Sequence, residues 1–564
     1  MSLDRAATAN PPKIGLLWGD FPWEQPAGKL GKLFSMGAVA RNLTRALNSL
    51  GEVIPFIPPA DGALESRQKA LTGFLGQIDI LWADVYEHTQ SVLEARKELD
   101  VPVPVLLFAG GAMPKGAEAM LFSWQALLMP HDHLIFTCAA DQLIWRKLVE
   151  WSTLQEWVIP LGVDETVFHP YSMGERQATR AHHGLPLDAP LLCYVGRLNI
   201  QKNLHDLLHL LALVRQSVPN VHLCLVGESD DIGLWEFGVP NTGYVEWLQQ
   251  LAQELQMADA LTFVGAHGGA ELARLYAAAD LCVNLSLYHR ENFGLAQAEA
   301  QACGVPVVCT AWGGFKDVVQ HGQTGFLVDT VMTKQGVRVD WRAGAAYVVQ
   351  LLTQPALHQQ FSHRAVNWAQ ERFSGAAFAG ALALIVAQCR QQGTKPFSWQ
   401  PAYAPSAFAA RYEAHKDACG WNTINTTLVK PYAHLTESPV PFPPMFQGEA
   451  YGLYEVLMAS YATRQAVALA VDDIASDWIP YRSPYLQLEP TRQMLYDAHP
   501  IWPNRLFLDT FAWDLLSLVD GVRSVGEIGI QLAKTHSGNL HAVRRVLWRL
   551  YVEGVLAFSG GHSA

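Results

Sequence analysis

The sequence predicts an α/β protein with two doubly wound parallel sheets in tandem, followed by a smaller domain. Short apolar runs alternate with stretches of helical length from residue 13 to residue 392. The alternation occurs twice, because a new series of runs begins at Leu191 after a break near Pro170. Several runs end in glycine, as in Leu107-Phe108-Ala109-Gly110 and Leu225-Val226-Gly227. These patterns are typical of strands that alternate with helices in parallel sheets.

Length and composition place the chain among multidomain globular proteins. Its 564 residues suffice for three or four domains, and half of them are apolar. The net charge of −12 argues against sequence-independent nucleic-acid binding. No apolar run reaches the roughly 18 residues of a membrane span, and the first residues lack the apolar core of a signal peptide. We therefore predict a soluble cytoplasmic protein with no nucleic-acid partner and no integral membrane span.

The eight cysteines form no CxxC pair, and four fall inside predicted strands: Cys193, Cys224, Cys282 and Cys309. We expect buried thiols of a reduced protein, and neither disulfides nor a metal site.

The first series predicts a ligand-binding loop after its first strand. The predicted strands and helices are Lys13–Trp18, Ser35–Leu50, Glu52–Ile57, Gln68–Leu75, Ile78–Ala83, Val101–Phe108 and Leu134–Cys138. The first βα loop contains Gly28-Lys29-Leu30-Gly31-Lys32, without the GxGxxG spacing of dinucleotide sites. Glycines beside lysines would suit a phosphate or a sugar. A flexible lysine-bearing surface loop is the alternative.

The second series predicts a second sheet facing the first across a cleft. Its elements are Leu191–Val195, Leu204–Gln216, Val221–Val226, Tyr244–Leu255, Leu261–Val264, Glu271–Ala279, Leu281–Leu285 and Leu295–Cys303. Helical patterns follow to Gln392, and a further helix is predicted over Gly448–Val471. The last block has predicted helices at Leu506–Leu518, Val525–Lys534 and Leu540–Glu553, and a closing strand at Gly554–Phe558.

The stretch from Leu281 to Val308 carries the most informative polar residues. It predicts a strand, a loop, a helix, a turn and a second strand. Glu291 falls in the loop, and Gly294 and Leu295 begin the helix, where free amides and the helix dipole favour an anion. Glu299 lies about one turn further along. An ordinary βαβ unit with two solvated carboxylates is the alternative.

Arg197 and Lys202 follow the first strand of the same sheet and therefore reach the same rim. Two cations, a helix N-terminus and a carboxylate together form a coherent site for a diphosphate that carries a polyol. The loop after Gly265 lies on this rim and could hold a base through its backbone.

The second half of the chain resembles the donor domain of the family-four glycosyltransferases. The resemblance covers about the first 390 residues and is strongest between Ile159 and Phe373. The matching motifs are IPLGVDETVFHP, YVGRLNIQKN, LVGE, FVG, LYAAADLCVNLS, ENFGLAQAE, AQACGVPVV, GGFKDVV and GQTGFLV.

This resemblance implies the GT-B fold of two facing Rossmann-like domains. It predicts an acceptor domain over residues 1–165 and a nucleotide-sugar donor domain over 166–392, before a helical or irregular linker over 393–483. The implied activity is that of a retaining, metal-independent hexosyltransferase. It would move a sugar from a nucleoside-diphosphate sugar to a hydroxyl of a sugar, lipid, small-molecule or peptide acceptor, without a cofactor.

The resemblance also implies a role for each residue of the site. Arg197 and Lys202 would bind the diphosphate and stabilise the leaving group, and Glu291 would contact the donor sugar. The predicted donor-binding residues are Gly28, Lys29, Gly227, Gly265, Asn292, Phe293, Gly294, Leu295 and Glu299. Among these, Glu299 would bind the ribose hydroxyls. The backbone amides of Gly294 and Leu295 would bind a phosphate.

Two positions depart from the family pattern. A histidine is usual where this chain has Phe108-Ala109-Gly110-Gly111, and Asp317 stands where a glutamate is usual. These departures leave the donor preference open. The missing histidine and the appended C-terminal block motivate one alternative, a non-catalytic scaffold that binds a sugar nucleotide or a peptide. A third hypothesis is a phosphorylase-like or epimerase-like enzyme on the same fold.

The block over residues 484–564 resembles the PqqD-like winged-helix domains, through LDTFAWDLLSLVDGVRSVGEIGIQLAK and RRVLWRLYVEGVLAF. The resemblance implies a small α+β domain that holds a peptide by adding its strand to a sheet, and so guides the acceptor. An accessory domain without such binding is the alternative.

Overall fold

The computed structural model describes residues 10–17, 34–59, 64–85, 87–110, 124–148, 154–229, 242–288, 291–333, 336–392, 399, 471–500 and 504–559. Within these ranges lie two six-stranded parallel sheets, a two-stranded hairpin, and a unit of antiparallel strands with three helices. The predicted α/β class with two parallel sheets in tandem is confirmed.

The first domain is built on a sheet with the strand order β2-β1-β3-β4-β5-β6, parallel throughout. Its elements are β1 (Lys13–Leu17), α1 (Phe34–Leu50), β2 (Glu52–Pro55), α2 (Leu64–Leu75), β3 (Ile80–Asp84), α3 (Glu87–Glu98), β4 (Val105–Ala109), β5 (His133–Phe136), α4 (Ala139–Leu148) and β6 (Gln155–Val158). β4 begins four residues later than predicted because Pro102 and Pro104 carry no amide hydrogen for the ladder.

The second domain repeats this architecture with the order β12-β11-β10-β7-β8-β9, again parallel. Its elements are α5 (Met173–His182), β7 (Leu191–Val195), α6 (Leu204–Ser217), β8 (His222–Val226), α7 (Tyr244–Glu254), β9 (Leu261–Gly265), α8 (Gly269–Ala278), β10 (Leu281–Asn284), α9 (Leu295–Ala302), β11 (Val307–Thr310), α10 (Phe315–Val318), β12 (Gly325–Val328), the hairpin β13 (Thr330–Thr333) and β14 (Gly336–Val339), α11 (Trp341–Thr353), α12 (Pro355–Phe373) and α13 (Gly375–Gln392).

Within the described ranges the chain crosses between the two domains twice, and these crossings lie side by side. The Val163 amide donates to the Phe373 carbonyl at 2.6 Å. After this crossing, α13 returns to the first domain and packs against α1. Gln388 Nε2 donates to Gln155 Oε1 at 2.7 Å, and the apolar face of α13 joins the buried side chains of both domains into one cluster.

The C-terminal unit contains a three-stranded antiparallel sheet, three helices and a pair of strands. Its elements are β15 (Ile479–Arg482), β16 (Leu486–Glu489), β17 (Met494–Asp497), β18 (Asn504–Phe507), α14 (Thr510–Leu518), α15 (Val525–Leu532), α16 (Leu540–Val552) and β19 (Leu556–Ser559). β15 pairs with β19, and β17 lies between β16 and β18.

The start of the predicted helix Leu506–Leu518 is wrong. Leu506 pairs with Leu495 in the ladder between β17 and β18. The Asp509 carboxylate then accepts from the Ala512 amide at 2.8 Å and caps α14, so the helix begins at Thr510. The predicted helix Gly448–Val471 lies outside the described residues except for Val471.

Seven of the eight cysteines lie in the described ranges and are buried with free thiols, which confirms the predicted burial of Cys193, Cys224, Cys282 and Cys309. Among the helices of the described ranges, none combines the length and the apolar character that a bilayer crossing requires.

Candidate functional site

The candidate site lies at the carboxyl edge of the second sheet, between β7 and β10. These strands are neighbours, but β8 and β9 extend the sheet on one side and β11 and β12 on the other. Loops diverge at such a switch in strand order and leave a crevice where ligands bind. The loop after β7 carries Arg197 and Lys202, and the loop after β10 carries Glu291.

The structure brings Lys202 and Glu291 into contact. Lys202 Nζ donates to Glu291 Oε1, and Ser286 Oγ donates to the same oxygen at 3.1 Å. The two charged side chains are only 14% and 12% exposed. Because little water competes with them, each charge acts more strongly on its neighbours than it would on an open surface.

Arg197 lies beside this pair in the same loop. Its Nη2 donates to Gln201 Oε1 at 2.9 Å, and its carbonyl accepts from the Tyr194 hydroxyl at 3.0 Å. The hydroxyl therefore fixes the backbone where β7 ends, and the guanidinium group is held by Gln201, the residue before Lys202.

Tyr288 joins the two cations and was not singled out from the sequence. Its ring centroid lies 5.2 Å from Lys202 Nζ and 5.9 Å from Arg197 Cζ, within the range of cation–π contacts. Trp312 Nε1 donates to the Tyr288 carbonyl at 2.9 Å and holds the loop. The sequence feature that could have pointed to Tyr288 is its position in the loop between β10 and Glu291.

Gly294 begins α9 in a conformation that favours glycine. Its φ is +97°, and a Cβ atom would lie 2.7 Å from Cδ1 of the buried Phe315 ring. Leu295 is the first residue of α9, and the described first turn holds no acidic side chain. The first-turn amides and the helix dipole therefore favour an anion at this point of the rim.

Glu299 lies one turn into α9 and is 6% exposed. The Tyr276 hydroxyl donates to Glu299 Oε2 at 3.2 Å. Burial raises the pKa of the Glu299 carboxyl group from 4.5 to about 8, and the hydroxyl offsets only part of that rise. The carboxyl group is therefore largely neutral near pH 7 when no ligand is bound.

Asn292 and Phe293 direct their side chains away from the two cations. Asn292 Nδ2 donates to the Gly110 carbonyl and, at 3.1 Å, to Thr137 Oγ1 of the first domain. Phe293 is buried and packs edge-on against Phe373 at 5.6 Å between ring centroids. Any contact of these two residues with a sugar donor is therefore expected from their backbone.

Gly227 and Gly265 hold neighbouring strand ends together at the rim. The Gly227 amide donates to the Gly265 carbonyl at 2.9 Å. A Cβ atom on Gly227 would collide with the Gly196 carbonyl oxygen at 1.9 Å, so the β7 and β8 loops approach closely only because glycine stands there. The predicted residues Gly28 and Lys29 lie outside the described residues.

The two departures from the family pattern both lie where the domains meet. The Gly110 carbonyl, at the end of β4, accepts the hydrogen bond from Asn292. Asp317 Oδ2 accepts from the Ala139 amide at 2.6 Å, at the N-terminus of α4. Burial raises the pKa of the Asp317 carboxyl group.

Two groups of side chains in the described part of the chain could offer metal ligands: His182, His183 and Glu271, and the buried His205, Asp206 and His499. Neither group includes Arg197, Lys202 or Glu291. In the first group His183 Nε2 contacts Glu271 Oε1 at 2.8 Å.

Sequence comparison finds relatives of the domain that carries the site. Residues 175–368 match the family described as "Glycosyl transferases group 1". D-inositol 3-phosphate glycosyltransferase of Segniliparus rotundus is 34% identical over 249 residues, 43% of this chain and 49% of that protein. The Mycolicibacterium smegmatis protein of the same name is 35% identical over 250 residues, which are 44% of this chain and 51% of that protein. The chain thus spans about half the length of the curated relatives it matches.

Solved structures share the two-domain fold. The Anabaena protein Alr3699/HepE, in complex with UDP and glucose, aligns with a TM-score of 0.50 and 20% identity, over 67% of this chain and 99% of that one. A glycosyltransferase of Rickettsia africae aligns with a TM-score of 0.52 and 13% identity, over 68% of this chain and 99% of that one. At these identities the likeness shows the fold alone. Arg197, Lys202 and Glu291 all lie within residues 175–368, the part of the chain that matches the group 1 glycosyl transferase family.

Proposed function

We propose that this chain is a hexosyltransferase that moves a sugar from a nucleoside-diphosphate sugar to an acceptor hydroxyl. The observation that carries the proposal is the contact of Lys202 with Glu291, beside Arg197, at the switch in strand order. The two cations can neutralise a phosphate, and the Glu291 carboxylate can accept hydrogen bonds from the hydroxyl groups of a sugar.

The chemistry follows from where charge develops. When the bond from the anomeric carbon to the diphosphate breaks, negative charge builds on the leaving phosphate. Arg197 and Lys202 already hold positive charge at that place, and placing charge in advance stabilises the transition state. Lys202 would exchange the Glu291 oxygen for a phosphate oxygen, which frees Glu291 to accept from the donor sugar. Leu295, at the N-terminus of α9, would offer its amide to the diphosphate.

Two further properties belong to the proposal through the family resemblance. The sugar keeps its anomeric configuration, and the protein's own cations neutralise the diphosphate without a required metal. The anomeric proton coupling in the NMR spectrum of the product tests the first property. Reactions with and without EDTA at equal rates support the second, and a rate restored only by Mg²⁺ contradicts it.

The first experiment measures release of nucleoside diphosphate from a panel of UDP-, GDP- and ADP-sugars. Wild-type protein should release it from at least one of them. Lys202→Ala should lower the rate by about 100-fold, the typical loss when one group that stabilises developing charge is removed. Lys69→Ala, which removes an exposed lysine on α2, is the matched control and should leave the rate unchanged. A wild-type protein that binds none of these sugars contradicts the proposal.

The acceptor is a separate question. The curated relatives are named for D-inositol 3-phosphate, so this compound belongs in an acceptor panel beside sugars, lipids and peptides. The C-terminal unit is proposed to act as a winged-helix-like domain that guides a peptide acceptor. In support, β18 is an outer strand of its sheet, and Phe507 on this strand is 68% exposed. Phe507→Asp should then lower transfer to a peptide without changing hydrolysis of the sugar donor.

A second candidate function is a non-catalytic scaffold that binds the same sugar nucleotides. The observation that favours it is the end of β4, where Gly110 stands in the region of the usual histidine and its carbonyl contacts Asn292. A scaffold would bind a nucleotide sugar and release no nucleoside diphosphate with any acceptor. Measurable turnover would exclude it. The place of action, predicted to be the cytoplasm, remains part of the proposal.

A further inference from the structure

The C-terminal unit contacts the second domain through two tyrosine hydroxyl groups that donate to buried aspartates. Tyr481, 3% exposed, donates from its hydroxyl to Asp340 Oδ1 at 2.8 Å. The Tyr485 hydroxyl donates to Asp206 Oδ1, also at 2.8 Å. Buried hydrogen bonds to carboxylates are costly to lose, because the group left behind has no water to replace its partner. This surface therefore fixes the C-terminal unit in one orientation.

Asp206 links the C-terminal unit to the loop that carries Lys202. Its second oxygen, Oδ2, accepts from Asn203 Nδ2 at 2.9 Å. Asn203 directly follows Lys202 and has a left-handed backbone, with φ of 55° and ψ of 39°. Asparagine adopts this conformation more readily than most residues because its short side chain can hydrogen-bond nearby, and the hydrogen bonds of the Asn203 amide group help to hold it.

Asn203 also reaches the second loop of the site. Its Nδ2 donates to the Leu285 carbonyl at 3.1 Å, one residue before Ser286. Ser286 Oγ donates to Glu291 Oε1. A single buried amide group thus connects the loop that carries Lys202 with the loop that carries Glu291, and Asp206 orients that amide group.

We propose that Tyr485 is a positioning residue for the sugar-donor site, through which the C-terminal unit holds the Lys202 and Glu291 loops in register. Tyr485 acts through Asp206 and Asn203, and it does not touch the substrate. The C-terminal unit is therefore part of the donor site's framework, independently of any peptide it binds. The inference rests on the proposed function for its effect on nucleotide affinity, but the mechanical connection stands without it.

The test compares two variants that each remove one hydroxyl from the same surface. Tyr485→Phe removes the donor to Asp206 and keeps the ring, which packs against His209 and His499. Tyr481→Phe removes the donor to Asp340, which caps α11 and lies outside the Lys202 loop. Each variant loses one hydrogen bond to a carboxylate, and the bond of Tyr481 is the more deeply buried, so Tyr481→Phe should lose at least as much thermal stability as Tyr485→Phe.

Two readouts separate positioning from stability. Calorimetric titration with UDP, GDP and ADP should show an affinity about 3- to 10-fold weaker in Tyr485→Phe than in wild type, and unchanged in Tyr481→Phe. Hydrogen exchange followed by mass spectrometry should show faster exchange over residues 199–206 and 281–288 in Tyr485→Phe alone.

The outcomes also separate this inference from the proposed function. If the wild-type protein binds no nucleoside diphosphate, the proposed function fails, and the hydrogen-exchange comparison still decides the inference. Equal exchange over both segments in the two variants would overturn it. So would unchanged nucleotide affinity in Tyr485→Phe when the wild-type protein does bind.

Discussion

At the scale of single residues, the site depends on charged side chains that follow different strands of the second sheet. Lys202 and Glu291 are 89 residues apart, but the carboxyl ends of adjacent parallel strands bring them together. That proximity follows from the strand pattern and could be predicted. The ring of Tyr288 beneath the two cations could not, because it depends on the path of a loop that has no regular hydrogen bonding.

Glu299 provides a prediction for stability against pH. Its pKa is about 8 in the folded protein and 4.5 as an ordinary glutamate, so the folded state holds a proton that the unfolded chain has lost. The free energy of unfolding should therefore fall as pH rises from about 4.5 to 8, by at most about 1.4 kcal/mol per pH unit from this group. In Glu299→Gln this contribution should disappear.

Urea unfolding of wild type and Glu299→Gln at pH 5.5, 6.5 and 7.5 measures the difference. The variant should gain stability relative to wild type as pH rises. A constant difference between the two proteins across this range would show that the Glu299 carboxyl group ionises normally.

At the scale of elements, buried strands were the most predictable part of the fold. Strand β7 was predicted with its observed bounds, and β8, β9 and β10 within one residue at each end. The polar helix α3 was missed, because EHTQSVLEARKE has too few apolar residues to form a clear stripe. The apolar run Leu506-Phe507-Leu508 was assigned to a helix, since it joins the pattern of α14 and only the cap at Asp509 separates them.

The start of α9 provides a second prediction. Gly294→Ala should lower the free energy of unfolding by about 1 to 3 kcal/mol, because alanine is strained at φ of +97° and its Cβ atom would press on Phe315. It should also weaken nucleoside diphosphate binding by moving the first amides of the helix.

Gly322→Ala is the matched control for this substitution. Gly322 has φ of +74°, but its Cβ atom would meet nothing within 4 Å. The control should lose stability from backbone strain alone and keep its nucleotide affinity. Equal binding by Gly294→Ala and wild type, measured by calorimetry, would argue against an anion site at this helix end.

At the scale of the whole molecule, the contact with the C-terminal unit contains histidines that burial keeps neutral. Burial lowers the pKa of His205 to about 3 and that of His209 to about 4. The unfolded chain takes up protons below about pH 6.5, whereas these folded side chains do not. Their contribution to stability is therefore lost as pH falls below 6.5.

His209→Gln tests this contribution without adding a charge. Between pH 7 and pH 5 the wild type should lose roughly 1 to 2 kcal/mol more unfolding free energy than the variant, on the basis of the His209 pKa. Denaturant unfolding at the two pH values measures it. Burial raises the pKa values of Asp206 and Asp497, so these two groups stabilise the folded protein as pH falls. Both are present in the wild type and in the variant, and the comparison therefore isolates His209. Identical losses in both proteins would contradict it.

The arrangement of the domains was predictable only in outline. Two alternating series of strands and helices predicted two facing sheets, but the return of α13 to the first domain depends on its apolar side chains matching α1. The contact of Tyr485 with Asp206 joins residues 279 positions apart in two different units. No local pattern in the sequence encodes such a contact. The predicted domain boundaries at residues 165, 392 and 483 stay predictions.

The adjacent crossings at Val163 and Phe373 have a mechanical consequence. Because the two passages lie side by side and each sheet is formed by strands of its own domain, we expect a rotation at this point to break no hydrogen bond of either sheet. The contacts of Asn292 with Thr137 and of Asp317 with Ala139 also join the two domains. Because Asn292 is the neighbour of Glu291, we expect a rotation that breaks its contact with Thr137 to move the backbone that presents the carboxylate. The same movement would then both open the cleft between the domains and displace Glu291.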